Sequence, residues 1–510
     1  MSTQTGGVFI ISDLVVNGWI LTTVFPMNDN ALLIGGNADT KTYLNLSMAN
    51  RHGLIAGATG TGKTITLQIL AENFAKRGVP VFLADIKGDL SGLAKPAKPH
   101  PKISERITHI GIKDYLPQSS ATVFWDIFGK QGHQLRTTVS EFGPLLLAAV
   151  LDLNDTQTAT LYTAFKIADQ QGLLLLDLKD LGALLDYMQK QRDELEGDFG
   201  SISAASVAAI QRRFLMLEEQ GASNFFGEPA LQLPDLMRRN IDGKGLINIL
   251  DATTLINSPR LYSIFLLWLI SELFEELPER GDADAPRLVF FFDEAHLLFN
   301  NAPKILIEKI EQVVRLIRSK GVGIYFVSQS PADIPDSVLG QLGNRVQHAL
   351  RAYTPKDQKA VRIAAQSFRA NPRFETADVI SELGVGEALV SFLDLKGVPG
   401  AVERVLVCPP ESMIGPISAS ERTELITASD LSSQYDKNVD RESAYEILAK
   451  RSQQRVEPAP AKTVPAAPAR APRRSQGTIE AFAKSAARAM GSSLGRQIIR
   501  GVLGSILGKR

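Results

Sequence analysis

The sequence predicts an α/β fold: a mainly parallel sheet covered on both faces by helices. Three observations predict it. A glycine-rich turn, Gly57-Ala58-Thr59-Gly60-Thr61-Gly62-Lys63-Thr64, follows the short apolar run Leu54-Ile55-Ala56. It precedes the stretch 65–76, where Leu67, Leu70, Ala71 and Phe74 recur at helical spacing. Two further apolar runs end in acids, 79–84 in Asp85 and 287–292 in Asp293-Glu294. Strand-like runs at 245–251, 322–328 and 345–350 then alternate with helical stretches, the pattern of a sheet buried on both faces.

The whole chain bounds what such a fold can contain. Its 510 residues allow two to four domains, or one core with large insertions. With 44% hydrophobic and 22% charged residues, a sizeable core is available. The net charge is zero, so no global field advertises a nucleic-acid partner, and any DNA contact must come from local patches. A single cysteine, Cys408, excludes a disulfide framework and a cysteine-based metal site. The six histidines offer no zinc spacing. The stretch 6–25 comes nearest to a membrane span, but Asp13 and Asn17 interrupt it and no basic segment precedes it. It reads as strands, or as an upstream extension if translation starts at Met27. A cytoplasmic protein is expected.

Taken in order, residues 1–50 form a short β-rich segment with strands expected at 7–11, 14–24, 32–35 and 42–46. Residues 51–130 hold the first part of the core. They include the buried strand 79–85, a polar turn at 86–90 and short strands at 107–110 and 122–125. Residues 131–240 change character: 136–151, 156–171, 176–190 and 204–219 all show helical spacing, which predicts an all-helical insertion. The core resumes over 241–450, with a long apolar helix at 258–277 and a closing hairpin from 384–390 and 403–407. Residues 451–476 are a flexible Pro/Ala/Arg linker. Residues 477–510 form a basic amphipathic helical tail, with Leu494, Ile498, Val502 and Ile506 recurring every fourth residue. Over 451–510 there are twelve Lys/Arg against two Glu. Docking on the protein's own core or on a neighbouring subunit is the plainer role for this tail. An anionic membrane surface or a partner protein's groove is the alternative.

The chemistry starts at the glycine-rich turn. Its N–H groups and the positive end of the following helix suit nucleotide phosphates. Gly57, Ala58, Thr59, Gly60, Thr61, Gly62, Lys63, Thr64 and Ile65 are therefore the expected nucleoside-triphosphate contacts. Lys63 would reach the β- and γ-phosphates, and the Thr64 hydroxyl would ligate Mg²⁺. Asp85 and Asp89 stand at a strand's carboxyl end, where ligands sit in open α/β sheets, and are candidates for contacts to Mg²⁺-bound or attacking water. A helix cap or loop carboxylate is the competing reading. Asp293 is expected to hold the Mg²⁺ hydration shell, and Glu294 to act as general base on the attacking water. Gln329, in Ser328-Gln329-Ser330-Pro331, could contact both γ-phosphate and water, unless it is merely a turn residue.

In this order, the turn 57–64, Asp85-Ile86-Lys87-Gly88, Phe291-Phe292-Asp293-Glu294-Ala295-His296, Gly321-Val322-Gly323-Ile324 and Val327-Ser328-Gln329 resemble the HerA/FtsK superfamily of RecA-like motor ATPases. The likeness is to its bacterial HerA-like branch of YjgR type, over roughly residues 30 to 508. The resemblance implies a RecA-like P-loop NTPase core, ATP with Mg²⁺, and hexameric rings whose sites lie between subunits. It also implies an arginine donated by the neighbour, for which Arg318 is favoured over Arg51, and Arg51 over Arg345. DNA as the translocated polymer rests on the resemblance alone. The departures are an N-terminal stretch shorter than the β-barrel of HerA, and the helical insertion.

Overall fold

The computed structural model describes residues 9–16, 19–26, 30–37, 40–281, 283–299 and 304–456. The expected tail at 477–510 and nearly all of the expected linker lie outside them. Fourteen strands are present among the described residues. They are β1 Phe9–Val16, β2 Trp19–Pro26, β3 Ala31–Gly36, β4 Lys41–Asn45, β5 Gly53–Ala56, β6 Val81–Asp85 and β7 Thr122–Asp126. β8 His133–Gln134, β9 Ile247–Asp251, β10 Leu288–Phe292, β11 Val322–Ser328, β12 Asn344–Gln347, β13 Glu387–Ser391 and β14 Glu403–Val407 follow.

Twelve of these strands form one sheet in the order β4-β3-β14-β13-β12-β5-β11-β10-β6-β9-β7-β8. From β12 to β8 every pairing is parallel; from β12 back to β4 every pairing is antiparallel. The predicted α/β class, with a mixed and mainly parallel sheet, is the fold observed. β1 and β2 make a separate antiparallel hairpin, so the expected strand at 14–24 is two strands.

Alternation along the central strands sorts two cores. On β10, Leu288, Phe290 and Phe292 join the cluster that includes the helical insertion, while Val289 and Phe291 join the cluster under helix α1, Lys63–Lys76. Successive side chains of a strand point to opposite faces, so a run apolar at every position requires helices on both. The buried helix Pro259–Glu276 covers the first face, where Phe265 stacks near Phe82 and Trp268.

Between β8 and β9 the chain is helical, as its periodicity predicts: α3 Val139–Val150, α4 Asp155–Gln171, α5 Leu178–Lys190, α6 Arg192–Phe199 and α7 Ala204–Glu218. Here α2 is the preceding helix, Pro101–Ile110. Reciprocal caps start α3 (Thr138 with Glu141), α4 (Asn154 with Gln157) and α5 (Asp177 with Asp180). Helix α2 corrects the expected strand at 107–110. Pro101 occupies its first turn, the His100 ring accepts from Lys102 N–H, and Ile103, Ile107 and Ile110 share one helical face. The sequence also sets residues 1–50 apart, yet β3 pairs with β14 and makes residues 31–45 the edge of the main sheet.

Gly53 shows how tightly the centre is packed. A Cβ there would stand 2.4 Å from two ring atoms of Tyr325, whose hydroxyl donates to Ala49 O at 3.1 Å. Gly53→Ala is therefore expected to cost about 1–3 kcal/mol by overpacking, read as a lower denaturation midpoint. A wild-type midpoint would contradict this packing.

Candidate phosphate-binding and hydrolytic site

The backbone leaves β5 through Gly57, Gly60 and Gly62, whose φ angles are 153°, 77° and 119°, and enters α1 at Lys63. Side chains avoid those angles, and a Cβ on Gly57 would lie 2.5 Å from the His348 Cβ. The loop is fastened on three sides: Gly57 N donates to Ser328 O, Ala58 N to Ala349 O, and Gly386 N to Thr61 O. The Lys63 ammonium folds back over it, donating to Gly57 O at 2.7 Å and Ala58 O at 3.1 Å. Burial and the charge of Lys87 pull its pKa down, against Glu294 and Asp293.

His348, which sequence reasoning missed, supports the loop from beneath. Its Nδ1 lies 2.9 Å from Glu387 O and its Nε2 lies 2.8 Å from the Thr66 hydroxyl. Burial pushes the imidazole down to about 4, so it is neutral, with Nδ1 donating and Nε2 accepting. No histidine motif marks it, because its partners come from β13 and α1.

The second half of the site comes from β6, β10 and β11. Being parallel neighbours in the order β11-β10-β6, they deliver their carboxyl ends side by side. Asp293 is buried and its Oδ1 accepts from Glu294 N–H at 2.9 Å. Glu294 adopts φ 47°, a left-handed conformation uncommon for a side chain with a Cβ. Its Oε1 pairs with Lys87 Nζ at 2.7 Å, and its Oε2 accepts from Gln329 Nε2 at 3.4 Å, with His296 Nδ1 at 3.2 Å. Burial raises the Glu294 carboxyl, but the Lys87 pairing outweighs it and holds the pKa below the usual value. Glu294 is thus ionised at neutral pH.

Lys87 was visible in the polar turn after β6 but carried no expected role; its partner lies on another strand. Asp85, the last residue of β6, has both oxygens engaged by the backbone of that turn. Oδ1 accepts from Gly88 N and Asp89 N, Oδ2 from Leu90 N. It shapes the turn that presents Lys87 and Asp89. The Thr64 side chain lies close enough to Asp89 to favour its charged form, although burial raises that carboxyl overall, and Asp89 Oδ1 is buried without a hydrogen-bond partner. Thr64 and Asp293 suit Mg²⁺: the cation takes hard oxygen ligands and commonly only one or two carboxylates, with phosphates completing its shell. The vacant acceptor on Asp89 adds a further hard oxygen beside Thr64.

The three arginines do not join this cluster. Arg51 precedes β5, Arg318 precedes β11, and Arg345 lies near the start of β12, all towards the amino ends of strands whose carboxyl ends carry the site. Arg345 donates to Leu342 O, Ser367 O and Leu339 O. Its guanidinium is engaged in tying the turn before β12 to Ser367, after the helix Pro355–Gln366.

Burial raises Asp293 to about 6 and Asp85 to about 7. An acid raised in the folded state binds more protons there than when unfolded. Its contribution to stability therefore falls as pH rises from about 4 through the folded value. Asp293→Asn should thus stabilise the nucleotide-free protein more at pH 8 than at pH 5, by roughly 1–3 kcal/mol, in denaturant titrations at the two pH values. An equal effect at both would contradict the burial of an ionisable Asp293.

A phosphate-cradling loop on a mainly parallel sheet, facing carboxylates on neighbouring strands, defines a P-loop NTPase. The helicase HerA-like C-terminal family model matches residues 30–510, and the chain belongs to that family. Among curated proteins, it is 22% identical over 384 residues to the DNA double-strand break repair helicase HerA of Sulfolobus acidocaldarius, covering 72% of this chain and 68% of that protein. It is 21% identical over 366 residues to the HerA of Saccharolobus solfataricus, covering 70% and 64%. The chain thus spans about two thirds of the length of these relatives. Among solved structures, the plasmid coupling protein TrwB in complex with a non-hydrolysable GTP analogue is similar at 14% identity and a TM-score of 0.49, covering 80% of this chain and 96% of that one. VirB4 of Thermoanaerobacter pseudethanolicus is similar at 16% identity and a TM-score of 0.45, covering 77% and 98%. No helix among the described residues is long and apolar enough to cross a membrane.

Proposed function

We propose that this protein hydrolyses ATP with Mg²⁺ and uses the cycle to move along DNA as a ring motor of HerA-like type. One observation carries the hydrolytic part: an ionised Glu294, oriented by Lys87 and Gln329, stands at the carboxyl end of β10 in the same cluster as Lys63. Glu294 accepts the proton of the attacking water, and Gln329 holds that water and reads the γ-phosphate. Lys63 leaves the Gly57 and Ala58 carbonyls to bind the β- and γ-phosphates. Thr64 and Asp293 would hold Mg²⁺, which neutralises charge developing on the phosphates.

Arg318 and Arg51 lie towards the opposite strand ends from this cluster, so they serve a neighbouring subunit's site rather than their own. The ring, as in the family this chain resembles, brings that neighbour into place. DNA as the polymer is supported by the relatives, whose names are those of DNA repair helicases. The test is steady-state ATPase activity with and without double-stranded DNA over a range of salt, with mass in solution measured alongside. Salt-sensitive stimulation in an oligomer supports the proposal. Turnover indifferent to any nucleic acid would overturn the DNA part, and a monomer at working concentration would overturn the ring.

A further inference from the structure

The turn between β13 and β14 stands at the end of the sheet opposite the phosphate loop. Ser391, the last residue of β13, pairs with Arg345 of β12, and Asn344 beside it pairs with Gly53 at the start of β5. The turn is therefore at the amino ends of strands whose carboxyl ends carry the site. Its tip exposes two aliphatic side chains, Leu395 at 70% and Val398 at 46%. Lys396 between them is exposed as well.

The tip is braced by groups other than these. Asp394 Oδ1 accepts from Lys396 N at 2.8 Å and Val398 N at 2.9 Å, Asp394 N donates to Val398 O at 2.9 Å, and Gly397 takes φ 76°. The base is anchored too. Asn45 donates to Leu393 O at 2.9 Å, and a Cβ on Gly343 would meet Leu393 Cδ1 at 2.7 Å. Gly343 N in turn donates to Arg51 O at 3.1 Å. The tip and the segment that carries Arg51 thus form one rim. A turn ordered in advance loses little freedom on docking, and its aliphatic side chains remain open to a partner.

The rim at the other strand ends is its complement. Tyr353, beyond the carboxyl end of β12, is 87% exposed, and Val385, just ahead of β13, is 71% exposed. Arg351, which donates to Ser381 O at 3.4 Å, ties the two segments. Asp378 and Glu382, on the helix Thr376–Glu382 that precedes Val385, are exposed carboxylates. One rim thus offers apolar groups around a lysine, and the other offers apolar groups beside two acids. Two different, complementary surfaces on one chain make a head-to-tail contact, the kind that closes into a ring.

We propose that the β13–β14 turn of one copy docks on the rim around Val385 of the next, with Leu395 and Val398 against Tyr353 and Val385, and Lys396 towards Asp378 and Glu382. The proposal rests on the ring reading above and names the contact that builds it. Gly386, next to Val385, donates its N–H to Thr61 O of the phosphate loop at 2.9 Å. Docking there sets the rim that carries Arg51 beside a neighbour's loop. Strand β13, Glu387–Ser391, then joins two sites: its start is fastened to its own phosphate loop, and its end leads into the turn that meets the next subunit.

The test follows mass in solution against concentration, with ATP turnover per subunit, for the full chain. It compares wild type, Leu395→Asp, and Leu395→Asp combined with Asp378→Lys and Glu382→Lys. Leu395→Asp should raise the dissociation constant of the assembly at least about tenfold, because an aliphatic anchor is lost and a like charge meets the acidic rim. Turnover should fall with assembly and return at raised protein concentration. The two lysines should recover at least about threefold of the lost affinity. Leu395 is exposed, so the variant should fold, and a melting midpoint equal to that of wild type checks it. An assembly that Leu395→Asp leaves intact, with or without a loss of DNA stimulation, would overturn the turn as the contact and leave the ring standing. Lysines that recover nothing would overturn the rim around Val385 as the receiver. A wild type that stays monomeric at every concentration would overturn the ring and this contact together.

Discussion

Glu294→Gln is expected to cut ATP turnover by about a thousandfold while ATP affinity stays within about threefold. The amide keeps the volume of the side chain at its left-handed position after Asp293, so the turn that carries it is undisturbed. What it loses is basicity and charge. In the wild type Glu294 is held below the usual carboxylate range by Lys87 at 2.7 Å and is therefore ready to accept a proton at neutral pH. Lys87 does not become a buried orphan in the variant, because Asp293 and Asp89 also act on its charge. The proposed ground-state phosphate contacts, from the loop and Lys63, do not involve the substituted group. Steady-state phosphate release and titration with a fluorescent nucleotide separate the two effects. Turnover within tenfold of wild type would remove Glu294 from the role of base. A parallel loss of affinity would instead show that its charge organises the ground state.

Legibility in the sequence divides by how local each feature is. The loop, α1 and the strand-then-acid run into Asp293 are written in contiguous residues, so the strand, turn and helix they form could be read without a structure. The insertion helices were readable for the same reason, helped by caps such as Asn154 with Gln157. Lys87 and His348 were not readable. One finds its partner across a parallel pairing of β6 with β10, and the other contacts Glu387 and Thr66. A one-dimensional pattern does not record such pairings. Residues 107–110 failed for a different reason: four residues with two isoleucines fit a strand as well as a helical turn, and the deciding signal, Pro101 at a helix start, lay upstream. For the arginines, sequence gave the spacing but not the consequence. Only the sheet shows that residues ahead of β5 and β11 lie towards the strand ends opposite the glycine-rich loop.

Lys63→Ala should weaken ATP binding by about a hundredfold to a thousandfold and abolish turnover, because this ammonium is proposed as the loop's own counter-charge to the β- and γ-phosphates. Two charge-assisted contacts, one to each phosphate, at about 1.5–2 kcal/mol apiece contribute about 3–4 kcal/mol, which gives the range. Lys63 is buried, and among the described residues its ammonium donates to the Gly57 and Ala58 carbonyls alone. In the nucleotide-free protein it therefore holds the cradle closed from within, and alanine removes that support as well as the charge. Lys63→Arg separates the two contributions. It restores the charge but forces a planar, wider fork into a space that fits one ammonium between two carbonyls. Arginine is accordingly expected to recover less than about tenfold of the lost affinity. Full recovery would mean that charge alone sets binding and that the folded-back geometry contributes nothing. Adenosine provides the internal control: lacking phosphates, it should bind wild type and Lys63→Ala equally. A matching loss for adenosine would trace the defect to a collapsed loop instead of a missing charge.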